Sequence, residues 1–270
     1  MSLRHNYQRI FADVLSVDAW HEPFKTSEET YAVYAEISFS EGRMGGDDPD
    51  IPFTFNVRLK KALLSISLEP PLSLDRSSVA RGVPPRQAEY TQVVRAKEEV
   101  KRYVGLKGVI TPALIGAALK GDVSKSDEMT KSDELKVTQE IPEILVTARP
   151  EGALGYSWEL EPLLRDHLRG QPWDPIDPPR MRVFAPDVQA LDPTIKIEIR
   201  CALEDLEISS LVPKEKGLVD RIENMAKRSI NEAVAIQHLK KVLSNADLHP
   251  GEMDNRFNSI LLADVLALAS

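Results

Sequence analysis

A chain of 270 residues with 42% apolar and 28% charged side chains has the material for one large domain or two smaller ones. Its formal charge of −8 and pI near 5.3 exclude broad coating of nucleic acid and attraction to anionic membranes. The single cysteine, Cys201, excludes an intrachain disulfide framework and a multi-cysteine zinc site, and fits a reducing, cytoplasmic compartment.

The opening MSLRHNYQRIFADV lacks the apolar stretch of a secretory signal. Residues 8–19, with Ile10, Phe11, Val14, Leu15 and Val17, predict a first strand. Tyr31, Val33, Ala35, Ile37 and Phe39 alternate with polar residues and predict a second. The turn-rich EGRMGGDDPD follows over residues 41–50, and its Asp47, Asp48 and Asp50 are candidate calcium ligands.

Next comes a long strand-like stretch whose buried phase slips. Phe53, Phe55, Val57 and Leu59 occupy odd positions, and after Lys60-Lys61 the apolar residues become Ala62, Leu64, Ile66 and Leu68. Strand side chains alternate with period two, so such a slip requires a bulge or a strand passing from one sheet to another. Pro70-Pro71 and Pro84-Pro85 bracket the loop that follows.

Tyr90, Val93, Ala96, Val100, Tyr103 and Val104 recur at spacings of three and four, which predicts an amphipathic helix over 87–104. Arg95, Lys97, Lys101 and Arg102 make it basic enough for phosphate contact, although Glu98 and Glu99 among them equally describe a solvated face. A second helix is predicted from Pro112 to Leu119, and the repeated KSDE of 123–135 predicts a flexible linker.

Strands resume at Ile144, Val146 and Ala148. Pro150 and Gly152 predict a tight turn into Leu154, Tyr156, Trp158 and Leu160. Residues 170–193, with six prolines and Asp174, Asp177, Asp187 and Asp192, predict a stiff crossing that either presents Trp173 to a partner or tucks it over the body. A second slipping stretch runs Ile195, Ile197, Ile199, Cys201 and Leu203, then Leu206 and Ile208 after Glu204-Asp205. The opposite charges at the two slips predict neighbouring strands with Lys60-Lys61 close to Glu204-Asp205. The tail reads as helix over 216–244, broken at His249-Pro250-Gly251, then again over 253–268.

Chemistry-bearing patterns are sparse. The histidines are scattered without metal spacing, and no phosphate-binding glycine loop or GxSxG is present, so no metal or cofactor is expected. Cys201, in phase with three isoleucines, reads as core. Glu159, Glu161, Asp166 and His167 are the only acid and base candidates close in sequence, and would serve a hydrolase if they converged. The last predicted helix is apolar nearly all round, through Phe257, Ile260, Leu261, Leu262, Val265 and Leu266. That pattern suits burial against the body or docking of a protein partner or second copy.

The expected protein is therefore α+β. An antiparallel β-sandwich-like body spans 1–212, with a helical insertion at about 86–121, a linker at about 122–135 and the Pro-rich crossing; a C-terminal helical unit spans 213–270. The expected function is non-catalytic interaction or assembly in the cytoplasm, through the C-terminal helices and Trp173. A hydrolase around Glu159–His167 and nucleic-acid contact through 87–104 are the alternatives. No membrane partner is expected.

Overall fold

The computed structural model describes residues 6–24, 30–46, 48–82, 87–95, 134–173, 179–185, 194–214, 225–250, 253 and 257–269. Its strands are β1 (Tyr7–Ile10), β2 (Leu15–His21), β3 (Thr30–Phe39), β4 (Gly42–Met44), β5 (Phe53–Leu59), β6 (Ala62–Leu68), β7 (Ser73–Asp75) and β8 (Gln87–Arg95). They continue with β9 (Glu134–Pro142), β10 (Ile144–Glu151), β11 (Gly155–Pro162), β12 (Gly170–Trp173), β13 (Met181–Phe184), β14 (Ile195–Ala202) and β15 (Leu206–Pro213). Helix α1 (Met225–Asn245) and strand β16 (Ser259–Ala269) complete the described elements.

Two compact units divide the chain. One comprises Met1–Pro84 with Ile144–Ser270, and the other Pro85–Glu143. In the larger unit an 11-stranded sheet runs β10-β11-β6-β14-β16-β2-β3-β13-β7, with β1 beside β2 and β12 beside β3. A three-stranded sheet, β15-β5-β4, accompanies it. The smaller unit holds the antiparallel pair β8-β9, registered from Gln87↔Pro142 to Arg95↔Glu134.

The protein is mostly β, with a large curled sheet resembling half a barrel; the sandwich-like body and the C-terminal helical unit are corrected accordingly. The predicted helix at 87–104 is strand β8 over its described part, 87–95. Period two was also present there, and β9 supplies the pairing that selects it. Residues 96–133, with the predicted second helix and most of the linker, lie outside the described residues. In the tail, α1 forms the described part of the helix expected over 216–244, of which 216–224 are not described.

The predicted helix over 253–268 is strand β16, lying between antiparallel β14 and parallel β2. Its pairing to β14 steps from Ile199↔Ala263 to Arg200↔Leu261, so Leu262 is bulged. Ile260 and Leu262 are therefore buried before the bulge, and Ala263, Val265 and Ala267 after it. A central strand with one bulge reads in sequence as apolar residues at spacings of two, one and two, which imitates a helix apolar on all sides.

Both earlier phase slips fall at a corner between the two sheets. β5 in the small sheet becomes β6 in the large one across Lys60-Lys61, and β14 in the large sheet becomes β15 in the small one across a 3-10 turn, Leu203–Asp205. The strands keep company around the corner, because β6 pairs β14 and β5 pairs β15. Lys60 N donates to Asp205 O at 2.7 Å, and Lys60 Nζ lies 3.4 Å from a Glu207 carboxylate oxygen. Burial alternates without error on either side of the corner, at odd positions in β5 and even positions in β6.

The core contains Phe53, Phe55, Val57 and Leu59 from the small sheet and Leu64, Ile66, Trp158, Ile195, Ile197 and Ile199 from the large one. Helix α1 contributes Ala235, Leu239 and Leu243, spaced four apart on one face. Outward-facing charges on the central strands are internally compensated: Lys196 meets Glu198 at 2.6 Å and Asp264 at 3.1 Å, and Arg200 meets Glu198 at 3.0 Å.

Candidate functional site

Among the described residues the large sheet ends at β10, which carries the exposed Leu145. Among the described residues this terminal strand pairs only with β11, from Ile144↔Pro162 to Glu151↔Gly155. Prolines define which backbone groups remain open. Pro150 faces Tyr156 and Pro162 faces Ile144, and neither nitrogen can donate, so these even-numbered positions are the non-hydrogen-bonded pairs of the ladder. The backbone N–H and C=O groups of Ile144, Val146 and Ala148 therefore point away from β11, toward the open edge. Beside them stands Leu145, 46% exposed; Leu163 and Leu164, 43% and 41% exposed, follow β11 in the segment that runs to β5. A row of backbone donors and acceptors flanked by uncovered leucine is a template for an added strand.

The carboxylates and histidine considered for hydrolysis belong to three different sets of ion pairs. Glu159 is paired with Arg149 and Glu161 with Lys61. Asp166 instead bonds the His167 ring, Oδ1 to Nδ1 at 2.6 Å, and lies 2.9 Å from Arg58, which also reaches Glu207 at 3.0 Å and His167 Nδ1 at 3.3 Å. The bond from His167, followed by the charge of Arg58, holds the Asp166 carboxyl below its ordinary range. These contacts end in a guanidinium and a second carboxylate, so they serve to pin the loop after β11 onto β5; Leu168 N donates to Leu59 O at 2.7 Å alongside. An open groove of about 420 Å³ on the small sheet, lined by Glu41, Gly42, Arg43, Asn56, Ser210 and Val212, contains none of the four residues.

The aspartates before β5 form a latch for α1. Asp48 lies 3.3 Å from both His238 Nδ1 and Lys241 Nζ, and Asp50 lies 3.9 Å from Lys241. Asp48 also accepts the backbone N–H of Asp50 at 3.0 Å, and its carbonyl accepts Lys214 Nζ at 2.7 Å. Asp47 lies outside the described residues. The described carboxylates are thus engaged by cations, and no group of three or more metal-ligating side chains occurs among the described residues.

His238 packs edge-on to Phe55, with ring centroids 6.0 Å apart, and its side chain is 11% exposed. Burial lowers its pKa from 6.5; Asp48 opposes that shift, while Lys241 and Lys214 add to it. The folded state therefore holds a neutral imidazole that the unfolded chain protonates first as pH falls. Stability is expected to drop as pH decreases through 6.5 toward the lower folded value, and to be retained above it. Urea unfolding at pH 7.5 and 5.5 checks this: His238→Gln should remove that part of the pH dependence, and an unchanged dependence would assign it elsewhere.

The remaining predicted positions are mostly interior. Trp173 is fully buried, edge-on to Trp158 at 5.5 Å and covered by the Arg180 guanidinium 4.8 Å from its ring centroid. Asp174, Asp177, Asp187 and Asp192 lie outside the described residues. Ile260, Leu262 and Val265 are buried, Leu261 and Leu266 are half-buried on the other face of β16, and Phe257 is 62% exposed. The helical face expected to unite them is not formed. Cys201 is buried in the core and burial pushes its thiol pKa well up, which suits a packing residue rather than a nucleophile. That β10 ends the sheet among the described residues escaped sequence reasoning, because which strand ends a sheet depends on topology; Pro150 was a local sign of it.

No protein-family model matches the chain, and no curated protein matches it. Solved structures that resemble it distantly include two toxins. One is the Clostridium perfringens NetB toxin in the membrane-inserted form, 8% identical, with a TM-score of 0.28 over 74% of this chain and 85% of that one. The other is Clostridium perfringens delta-toxin, 9% identical, with a TM-score of 0.25 over 79% of this chain and 92% of that one. Likeness at that level assigns neither fold nor activity. No helix among the described residues is long and apolar enough to cross a membrane.

Proposed function

We propose that this protein is a non-catalytic interaction or assembly protein that joins another chain by strand addition at β10. The observation that supports the reading is the row at Ile144, Val146 and Ala148, open among the described residues and bordered by exposed Leu145. Exposed strand edges are ordinarily blunted by charge, proline or a covering element, because they recruit other chains. Here Arg149 and Pro150 blunt only the second half of the strand, and the first half carries Ile, Leu, Val and Thr. A cytoplasmic location belongs to the same reading, since a lone buried thiol such as Cys201 requires no oxidising compartment.

Amide hydrogen exchange tests this strand by strand. In the assembled protein the amides of Ile144, Val146 and Ala148 should be protected to a degree similar to those of Leu145 and Thr147, which already bond β11. Fast exchange at the even-numbered amides, persisting at high concentration and in the presence of every candidate partner offered, would overturn the reading.

A further inference from the structure

We propose that the outer face of β2 and β3 is a second docking surface, which takes an arginine side chain from a basic segment of a partner protein. Burial alternates along both strands, so Ser16, Asp18 and Trp20 of β2 share the outer face with Ser38, Glu36 and Tyr34 of β3. The register sets Ser16 opposite Ser38, Asp18 opposite Glu36 and Trp20 opposite Tyr34. Like charges directly opposite one another destabilise a sheet. One step along, the two facing serines satisfy each other instead, with hydroxyl oxygens 2.6 Å apart.

The two carboxylates have only neutral partners. Asn6 Nδ2 donates to Asp18 at 2.9 Å, and Gln171 Nε2 donates to Glu36 at 3.1 Å. Among the described residues no ion pair engages either one. Arg9, on the same face of β1 opposite Ser16, is held by Asp13, and Lys196 on β14 is held by Glu198 and Asp264. Aromatic rings border the uncompensated charges. Trp20 and Tyr34 stack with centroids 5.7 Å apart and planes 11° apart. Exposed Tyr7 stands opposite Asp18 on β1, and exposed Leu268 opposite Trp20 on β16.

Together these groups select the occupant. A metal ion needs more oxygen ligands than two carboxylates supply, and no group of three or more ligating side chains occurs among the described residues. An apolar partner would bury both charges uncompensated, and an anionic one would be repelled. A guanidinium meets each demand: its planar fork bonds carboxylate oxygens while its face stacks on an aromatic ring. The formal charge of −8 adds long-range attraction for a basic segment. In the order of the sheet β2 and β3 lie toward the other end from β10, so the two surfaces can fail separately.

Tryptophan fluorescence reports on this face, because Trp20 is half-buried while Trp158 and Trp173, the other two of three, are fully buried. The probes are short glycine-spaced peptides of arginine, of lysine and of glutamate, titrated into the full-length chain at low salt. The arginine peptide is expected to bind and shift the emission, the lysine peptide to bind more weakly, and the glutamate peptide not at all. Glu36→Gln keeps an oxygen for Gln171 but removes one of the facing charges. It should raise the Kd of the arginine peptide about 10-fold, with the unfolding temperature unchanged or higher. Tyr34→Leu, followed by calorimetry, should bring the arginine peptide level with the lysine peptide. No binding of the arginine peptide, or equal binding to the parent and Glu36→Gln, would overturn the site. A lowered unfolding temperature in Glu36→Gln with binding retained would make the facing carboxylates a structural pair. Lysine bound as tightly as arginine, and indifferent to Tyr34→Leu, would overturn the choice of arginine.

Discussion

Trp158→Ala is expected to lower the free energy of unfolding by about 3–5 kcal/mol, enough to remove much of the stability of an ordinary domain. Trp158 lies on β11, the strand that carries β10, and its side chain is fully buried. Its ring packs against Tyr156 at 5.3 Å and edge-on to Trp173 at 5.5 Å, so truncation opens a cavity between aromatic neighbours that cannot collapse freely. Its Nε1 also donates to Ala80 O at 2.6 Å, and Ala80 N in turn donates to Arg180 O at 2.8 Å. The indole therefore ties the segment after β7 to the core, and an alanine leaves the carbonyl of half-buried Ala80 without that donor as well. Trp158→Phe separates the two contributions: it keeps most of the packing and should lose about 1–3 kcal/mol for the orphaned carbonyl. Denaturant unfolding followed by circular dichroism measures both. A loss below about 1 kcal/mol in Trp158→Ala would contradict the packing described, against the usual cost of emptying a core site.

Gly42→Val is expected to be nearly as damaging, at about 3 kcal/mol or more, for a different reason. A Cβ at Gly42 would stand 2.4 Å from Phe11 O and 2.7 Å from a Val14 methyl. The opposing segment cannot retreat easily. Phe11, Ala12 and Asp13 occupy three consecutive left-handed conformations, with φ of 53°, 52° and 71°, between β1 and β2. Phe11 and Val14 are themselves buried, and Ser40 N donates to Val14 O at 3.0 Å. The requirement at Gly42 is therefore space for a backbone rather than an unusual φ. Gly46→Ala is the matched control: nothing lies within 4 Å of its added Cβ, and its effect should stay within about 0.5 kcal/mol, as for an ordinary surface site. Equal effects at the two glycines would show that the turn at 11–13 is not held against β4.

These two sites illustrate how unevenly the fold could be read beforehand. Trp158 was visible as an inward position of an alternating hairpin strand, and the structure buries it there. Gly42 belonged only to a turn-rich loop, because its constraint comes from Phe11, which approaches it through the tertiary fold. The corner strands were legible in detail, since a period-two pattern that slips has few physical explanations. The same logic applied to the tail would have exposed β16, yet a bulge after two residues of alternation leaves too short a run to distinguish from helical spacing. For the chemistry, Asp166 and His167 did come together, but Arg58 and Glu207, from β5 and β15, turn the pair into a structural ion cluster.

Alternation, proline placement and charge thus determined the individual strands, the hairpin of β10 and β11 and the two sheet corners, because each is a local consequence of side-chain geometry along the chain. Tertiary structure decided the rest. It made β8 and β16 strands, for both owe their state to partners distant in sequence; it buried Trp173 beneath Arg180; and it left β10, among the described residues, as the last strand of the sheet. Backbone hydrogen bonding is the physical reason. A strand segment is stable only when its N–H and C=O groups meet those of another segment, and the chain order of side chains does not say which strand will lack a neighbour.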